Sequence, residues 1–326
     1  FILLLGLIML YRAVPEAARS FDFRVLQKSA VLIPAAAQGN IFLLLLLGFG
    51  ILVSLFPFHS WAPEAYASAP APAAMLHAGV LKKFGLYGLL RLALPLLPDG
   101  AQQYSTLLIV LLLGNIIYVG LVTIAQKRLD WMLGYSSVMH MGYIFLGIAS
   151  GTLLGTTGAA VLLFAHGISI ALLFAVAGEI RQRTGTLELE DLGGLGKLMP
   201  RAGFAFGLAT FASIGLPGFA NFSGEVMIIF GAFRNGANPD HFGLYQIAAV
   251  LGLWGVVISA VYMLRAYRAV FMGALGDSLG GATDLGRSLR VPVALLVGMT
   301  MWFGFFPQSF VRMVTPTFQS YFAGKP

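Results

Sequence analysis

Long apolar stretches, separated by short polar segments, follow one another along most of the chain. A helix that crosses about 30 Å of hydrocarbon needs roughly 20 consecutive, mostly apolar residues. The sequence contains ten apolar stretches, some of them short: Phe1–Ala13, Ile41–Pro57, Pro72–Leu97, Ser105–Ala125, Asp130–Ala149, Thr157–Ile180, Ala202–Pro217, Phe222–Phe233, Leu244–Met272 and Val291–Phe306. The pattern predicts an all-α, polytopic membrane helix bundle, with residues 1–326 forming a single transmembrane domain.

Two of these stretches are too short to cross a membrane alone, and they flank Leu216-Pro217-Gly218-Phe219. Proline removes a backbone donor and clashes with the preceding turn, while glycine frees the backbone. The pair therefore predicts one helix that is broken around Pro217-Gly218, and about nine membrane crossings in total. Irregular backbone at membrane depth persists only where protein or water surrounds it.

The placement of charge supports this count, because cytoplasmic loops of membrane proteins are enriched in Lys and Arg. If the broken pair counts as one crossing, basic and non-basic loops alternate from residue 98 onward. The early segment Val14–Gly39 is an exception, since it is mildly basic and falls on the other side. The basic loops are Gln126–Leu129, Arg181–Arg201 and Arg265–Arg290, and the others include Pro98–Tyr104 and Gly151–Thr156.

Composition narrows the class of protein further. Of the 326 residues, 58% are hydrophobic and 10% are charged, against about 25% charged in an ordinary soluble domain. Such a chain is neither a soluble enzyme, nor a disordered protein, nor a nucleic-acid-binding module. The net charge of +7 follows from the basic loops. The chain opens at Phe1 on an apolar run without a signal peptide, so we expect the true N-terminus to be missing.

Ionisable residues within apolar stretches are costly and usually functional. Lys82 and Lys83 lie near the middle of Pro72–Leu97, too deep for easy access to the interface. Burial strips an amine of its hydration and favours its neutral form, so either lysine could accept a proton. The alternative is that the pair only reaches a carboxylate partner for assembly.

Glu225 follows the predicted break by a few residues, where a water-filled cavity is most plausible. Breaks of this kind gather at transport sites. A role in proton transfer is therefore the favoured interpretation of this carboxylate. The alternative is that it caps the exposed amides at the start of the second half-helix.

Two histidines, His140 and His166, lie in the middle of apolar stretches. Histidine titrates near neutral pH and therefore suits a proton relay, although a hydrogen-bonded packing role is equally possible for each. Packing is the expectation for His59 at a helix end and for His77, which does not share a helical stripe with Lys83. His241 is predicted to lie in a loop.

Other chemistries find little support. No pair of histidines has the spacing of a HExxH metal site, and Gly193–Leu198 lacks the full pattern of a phosphate loop. There is no cysteine, and hence no thiolate ligand for an iron–sulfur cluster. The sequence therefore predicts no cofactor and no metal in this chain. Gly114, Gly120, Gly142 and Gly147 are interpreted as helix-packing contacts.

Several motifs together resemble the antiporter-like proton-pumping subunits of respiratory complex I. The resemblance covers nearly the whole chain, and a glutamate at the position of Glu225 is typical of the chain M type, whereas the chain L type and multi-subunit sodium/proton antiporters carry lysine there. The motifs are Pro57–Tyr66 (PFHSWAPEAY), His77–Lys83 (HAGVLKK), Tyr87–Arg91 (YGLLR), Gly134–Gly142 (GYSSVMHMG), Ala165–Gly167 (AHG) and Gly215–Glu225 (GLPGFANFSGE).

The resemblance implies which residues act and what surrounds them. The chain would correspond to the sixth through fourteenth of about fourteen helices. Lys83, His140, His166 and Glu225 match functional positions of a proton relay, and Lys82 is an additional amine. Two positions depart from the family: Leu55 stands where a lysine is usual, and Asp130 replaces a basic residue.

The resemblance also implies a subunit that moves protons without a redox centre, in a bacterial inner (plasma) membrane. NADH, FMN, iron–sulfur clusters and quinone would belong to partner subunits. Other membrane subunits and lipid would surround the chain, with no nucleic acid.

Three alternatives stay open at this point. The chain could belong to a cation/proton antiporter without an electron-transfer partner, or to the membrane arm of a related hydrogenase. It could also be a scaffold that moves no ions, an interpretation that the departure at Leu55 keeps open.

Overall fold

The computed structural model describes residues 1–236, 242–276, 279 and 281–322. His241, which the sequence places in a loop, lies outside these residues. The described residues form α-helices connected by turns, with one isolated β-bridge between Arg128 and Glu188. This architecture confirms the predicted all-α bundle.

The α-helical segments are numbered along the chain. They are α1 (Ile2–Ala13), α2 (Phe23–Ser29), α3 (Ala35–Val53), α4 (Trp61–Ser68), α5 (Ala71–Gly79), α6 (Phe84–Gly88), α7 (Leu94–Leu96), α8 (Pro98–Gln103), α9 (Ser105–Leu113), α10 (Gly120–Ile124), α11 (Leu129–Ala149), α12 (Leu153–Thr184), α13 (Pro200–Ile214), α14 (Ala220–Arg234), α15 (Leu244–Phe271), α16 (Arg287–Phe305) and α17 (Gln308–Phe322). Short 3-10 turns cover Glu16–Ala18, Ala30–Leu32, Leu81–Lys83 and Leu195–Lys197, and π-helical turns cover Leu89–Ala93 and Gly114–Val119.

Six helical segments are long and apolar enough to cross a membrane: α3, α9–α10, α11, α12, α15 and α16. The shorter α1, the α5–α7 segment and the α13–α14 pair bring the candidate crossings in the described residues to nine. This number agrees with the prediction. Because nearly every residue of α11 is buried whereas α16 is mostly exposed, α11 lies at the centre of the bundle and α16 at its edge.

The predicted break between α13 and α14 is confirmed. Helix α13 ends at Ile214, and α14 begins at Ala220. Gly215 adopts φ 79° and Gly218 adopts φ 90°, which is the left-handed region that glycine enters without a steric cost. These two glycines let the chain leave one half-helix and begin the next.

Two further interruptions were not predicted. The second predicted apolar stretch ends at Pro57, but a short helix, α4, follows and packs against α11, with Gly134 in contact with Pro63. The apolar pattern predicts a continuous stretch over Pro72–Leu97, yet a 3-10 turn interrupts it between Gly79 and Phe84. Among the described residues, these two interruptions add to the one at Pro217-Gly218.

Small residues allow the central helices to approach closely, as predicted. A Cβ atom at Gly147 would come within 2.6 Å of the Gly155 carbonyl oxygen, and one at Gly142 within 2.6 Å of the Ile116 side chain. Small residues at helix interfaces are typical of membrane bundles, where close packing replaces hydrophobic exclusion as the driving force.

Candidate functional site

All five predicted site residues are buried inside the bundle. The exposed fractions are 0% for Lys82, 3% for Lys83, 1% for His140, 1% for His166 and 4% for Glu225. None of them points outward from the bundle, as a lipid-facing residue would. They lie on α11, on α12 and at two of the three interruptions.

The interruption after α5 holds the Lys83 amine in place. Val80 leaves the helical conformation, and the Lys83 amide donates to the Val80 carbonyl at 3.0 Å. The regular partner of that amide would be the Gly79 carbonyl. The Gly79 carbonyl therefore lacks its regular backbone donor. The Lys83 side chain takes over, because its Nζ donates to the carbonyls of Ala78 and Gly79 at 2.6 and 3.0 Å. The side chain thus satisfies the carbonyl groups that the interruption leaves unpaired.

Helix α12 passes close to this amine. A Cβ atom at Gly167 would come within 2.8 Å of the Gly79 carbonyl oxygen and 3.7 Å of Lys83 Nζ. Only a residue without a side chain allows this approach. It places Lys83 beside the residue that follows His166.

The two buried histidines lie next to each other, with ring centroids 5.2 Å apart. His140 Nδ1 is 2.7 Å from the Ser136 carbonyl oxygen, and its Nε2 is 2.8 Å from the Ser213 carbonyl oxygen. A neutral imidazole has one N–H, so only the doubly protonated ring can donate to both carbonyls at once. His140 therefore links α11 to the end of α13 in a way that depends on its protonation.

His166 has a different environment. Its Nδ1 is buried and has no hydrogen-bond partner among the described residues. Buried polar atoms are normally paired with a protein group or an ordered water molecule. Nearby, the Ser169 hydroxyl lies 3.3 Å from the His166 carbonyl and 3.4 Å from Asn221 Oδ1, which connects α12 to α14.

Glu225 lies across the break from the end of α13. It is the sixth residue of α14, beyond the first turn, and no side chain caps that helix. A Cβ atom at Gly215 would overlap the Glu225 carboxylate. The carboxylate therefore faces the broken backbone rather than the amides at the start of α14, which argues against the capping alternative.

Four of the predicted residues lie in sequence along neighbouring elements, and we call them the buried polar line: Lys83, His166, His140 and Glu225. Lys83 contacts α12 next to His166, His166 contacts His140, and His140 binds the carbonyl of Ser213, two residues before the glycine that faces Glu225. Lys82 points away from this line, and its Nζ lies 3.4 Å from the Ser137 hydroxyl.

Asn115, which the apolar pattern does not mark as a site residue, stabilises the interruption between α3 and α4. Its amide accepts a hydrogen bond from the Phe56 N–H at 2.7 Å and donates to the carbonyls of Ser54 and Val138, both at 3.0 Å. The one feature of the sequence that could have identified Asn115 is the presence of an uncharged amide side chain within an apolar stretch. His59 packs against the rings of Phe56 and Tyr118 at this interruption.

Asp130 is part of an ion cluster at the start of α11. Its carboxylate is almost fully buried and accepts hydrogen bonds from Arg128, at 2.9 and 3.2 Å, and from Arg181. The hydrogen bonds that Arg128 donates to Asp130 raise the pKa of Arg128. Arg181 Nη1 also lies 3.4 Å from the Ala67 carbonyl. The cluster therefore holds together the ends of α4, α11 and α12.

A metal centre is not formed by the described residues, which contain no group of three or more His, Asp or Glu side chains placed to bind an ion. His140 and His166 meet although 25 residues separate them in the sequence, and sequence spacing could not have predicted their contact.

The fold and the site together define a class: a polytopic helical membrane protein with titratable side chains buried along interrupted helices. The family profile described as NADH:quinone oxidoreductase/Mrp antiporter, TM, matches residues 1–252. The chain belongs to this family.

Individual relatives agree with this assignment. NADH-quinone oxidoreductase subunit M of Rickettsia typhi is 33% identical over 311 residues, which cover 95% of this chain and 60% of the relative. NAD(P)H-quinone oxidoreductase chain 4 1 of a Synechococcus species is 36% identical over 306 residues, covering 91% of this chain and 56% of the relative. The chain thus spans about 60% of the length of these relatives.

A solved structure shares the fold. A chain of respiratory complex I from Thermus thermophilus with bound NADH superposes with a TM-score of 0.88 at 30% identity, covering 98% of this chain and 65% of that chain. The match extends beyond the family profile into the C-terminal helices.

Proposed function

We propose that this chain is the proton-translocating part of a membrane subunit in an NADH-quinone oxidoreductase of the complex I type. Its family and its relatives support the assignment. The observation that carries the proposal is the buried polar line, because titratable groups in an apolar bundle are costly and are retained at ion pathways. Lys83, Lys82, His140, His166 and Glu225 are the residues to which we assign proton transfer.

Lys83 is suited to hold and release a proton without losing its place. A neutral amine has two hydrogens and an ammonium has three. Two of them can keep the hydrogen bonds to Ala78 and Gly79 in either state. The remaining position is a lone pair that accepts a proton or an N–H that donates one, and it is free to face α12.

His140 responds to protonation by changing a backbone contact. When it is protonated, it donates to both Ser136 and Ser213; when it is neutral, it can donate to only one of them. Loss of the Ser213 contact would release the end of α13, beside the Gly215 backbone that faces Glu225. A proton on His140 and the position of the broken helix are therefore coupled, with Glu225 as the terminal acceptor.

The energies involved are comparable to the membrane potential. One elementary charge that crosses 100 mV corresponds to about 2.3 kcal/mol. Two unit charges about 7 Å apart at an effective dielectric constant of about 20 interact by roughly 2.4 kcal/mol. A change of charge at one site can therefore drive the proton from its neighbour.

The chain would act as a non-redox subunit in this enzyme. NADH, FMN, the iron–sulfur clusters and quinone would be bound by partner subunits, and their redox reaction would drive the rearrangement of this membrane arm. The other membrane subunits and lipid would cover the exposed apolar residues, in a bacterial inner membrane.

The first prediction tests this function in the complete complex with the full-length subunit, reconstituted in proteoliposomes. Lys83→Met removes the titratable amine but keeps the length of the side chain. We expect NADH-driven proton translocation, followed with a pH-sensitive dye, to be about a hundredfold slower or worse, in keeping with the contribution of a positioned proton-transfer group. Lys197→Met, at an exposed lysine, is the matched control.

Unchanged translocation in Lys83→Met, or in Lys83→Ala combined with Lys82→Ala, would contradict the proposal. Proton translocation that requires a sodium gradient and does not depend on NADH oxidation would favour the antiporter alternative instead.

A further inference from the structure

The last step of the buried polar line, from the two histidines to Glu225, needs a group that can carry a proton. His140 approaches the broken helix through its Nε2, which lies 2.8 Å from the Ser213 carbonyl oxygen. A carbonyl group accepts hydrogen bonds but has no hydrogen to pass on. The contact can therefore position the end of α13, but it cannot deliver a proton to Glu225.

Helices α12 and α14 pack closely on each other at this step. A Cβ atom at Gly224 would lie 2.8 Å from the Leu162 Cβ atom, and Ser169 Oγ lies 3.4 Å from Asn221 Oδ1. The two helices are therefore antiparallel. Because His166 lies between Leu162 and Ser169 on α12, it is at the level of the α14 turn that carries Asn221 and Gly224.

Asn221 is a neutral polar residue at this helix interface. Its side chain is fully buried, and its Nδ2 has no hydrogen-bond partner among the described residues. An amide donor that is buried without a partner is costly. The Nδ1 atom of His166, on the facing helix, is also buried and unpaired in the described part of the chain. One small polar group at this interface could satisfy both atoms.

Glu225 is the neighbour of Asn221 on α14. Residues four apart share one face of a helix, with their Cβ atoms about 5–6 Å from each other. None of the ion pairs in the described ranges involves Glu225. Asn221 is thus next to Glu225 on its own helix. Through Ser169, it also contacts the turn of α12 that carries His166.

We propose that Asn221 is a positioning residue that holds a water molecule between His166 Nδ1 and the Glu225 carboxylate. This water bridge rests on the proposed function. Asn221 Nδ2 donates a hydrogen bond to the water oxygen. A buried water molecule typically makes about three hydrogen bonds, and His166 and Glu225 supply the other two partners.

The transfer through the water bridge conserves protons. When His166 is doubly protonated, its Nδ1 gives a proton to the water oxygen, and the same water molecule gives one of its own hydrogens to the Glu225 carboxylate. The products are a neutral imidazole with a lone pair on Nδ1, an intact water molecule and a neutral carboxylic acid. Asn221 keeps its hydrogens throughout and only orients the water.

The second prediction tests the water bridge in the same proteoliposomes of the complete complex. Asn221→Leu keeps the approximate volume of the side chain but removes the amide, whereas Asn221→Ser keeps a hydrogen-bonding group and leaves room for water. We expect Asn221→Leu to slow the initial rate of proton translocation about a hundredfold, and Asn221→Ser to stay much closer to the parent. Ser223→Ala, whose hydroxyl donates only to the Ala220 carbonyl of its own helix, is the matched control and should match the parent.

The two variants separate the water bridge from a packing role. If Asn221 only filled space, leucine would be tolerated because it conserves volume, and serine would be harmful because it leaves a cavity. That reverse order of rates would overturn the water bridge, and so would equal rates in the two variants.

A double variant tests whether Asn221 acts through Glu225. In the complex that carries Glu225→Gln, adding Asn221→Leu should cause no further loss, because members of one relay are not additive. A further hundredfold loss would overturn the water bridge, since the two residues would then act separately.

The failure of the water bridge can be distinguished from failure of the proposed function. Parent-like translocation in Asn221→Leu, together with loss of translocation in Lys83→Met, would overturn the water bridge and leave the proposed function standing. Parent-like translocation in Lys83→Met would overturn the proposed function itself. The amount of subunit in the purified complex shows that each variant assembles.

Discussion

At the scale of single residues, the site depends as much on small side chains as on titratable ones. Lys83 reaches α12 only because Gly167 has no Cβ atom at the point of contact. The Lys83 amine is in turn held by two carbonyls that an interrupted helix exposes. A titratable residue in an apolar stretch can be recognised from sequence, but the glycine that gives it access to its neighbour cannot.

The third prediction concerns Gly167. In Gly167→Ala the added methyl group would lie 2.8 Å from the Gly79 carbonyl oxygen, so α12 or the interruption must shift. Overpacking of this kind costs about 1–3 kcal/mol. We expect a lower thermal unfolding midpoint for the detergent-solubilised complex and slower proton translocation. Gly298→Ala on α16 meets no atom within 4 Å and serves as the control. Equal stability of the two variants would show that the close approach of α12 is not needed.

At the scale of helices, the interruptions bring polar backbone into the middle of the bundle, and side chains from neighbouring helices or from the interruption itself satisfy it. Asn115 binds the backbone between α3 and α4, and Lys83 binds the carbonyls between α5 and α6. His140 binds a carbonyl at the end of α13. The backbone of each interruption is thus hydrogen-bonded to a side chain. Irregular backbone at membrane depth persists only where protein or water satisfies its polar groups in this way.

The ends of the same helices are held by the ion cluster around Asp130. The Asp130 side chain is 4% exposed, and those of Arg128 and Arg181 are 43% and 40% exposed, so solvent screens the pairs only in part. The fourth prediction is that Asp130→Asn lowers the stability of the complex by about 1–2 kcal/mol, because two guanidinium groups lose a shared buried partner.

The control for Asp130 is Glu190→Gln, since the pair of Glu190 with Lys127 has both side chains 77% exposed. Exposed pairs contribute little to stability, so we expect almost no change in the unfolding midpoint for this variant. A similar loss in both variants, measured by thermal unfolding at one ionic strength, would contradict a special role for the Asp130 cluster.

At the scale of the whole molecule, the hydrophobic pattern predicts the number of membrane crossings. A long apolar stretch such as Leu244–Phe271 is stable only as a membrane-spanning or buried helix. The break at Pro217-Gly218 was predictable from residues that cannot continue a helix. The interruption at Val80–Lys83 was not, because no proline or glycine pair marks it; it is stabilised by the Lys83 side chain, a tertiary effect that periodicity does not contain.

The same contrast applies to the site. Lys83, His140, His166 and Glu225 could be selected as ionisable groups in apolar surroundings. Their order in space could not, because it depends on which helices pack together, and the contact between His140 and His166 joins two different helices. Neutral polar residues such as Ser137 carry no signal until a neighbour is known.

The most direct measurement is the number of protons translocated per electron in the complete complex that carries Glu225→Gln. The substitution keeps the size of the side chain that faces Gly215 but removes its exchangeable carboxyl proton. The account predicts a clear fall in the proton-to-electron ratio relative to the parent complex, while the exposed control Glu16→Gln keeps the parent value. A ratio in Glu225→Gln equal to that of the parent would contradict the claim that protons pass along the buried polar line.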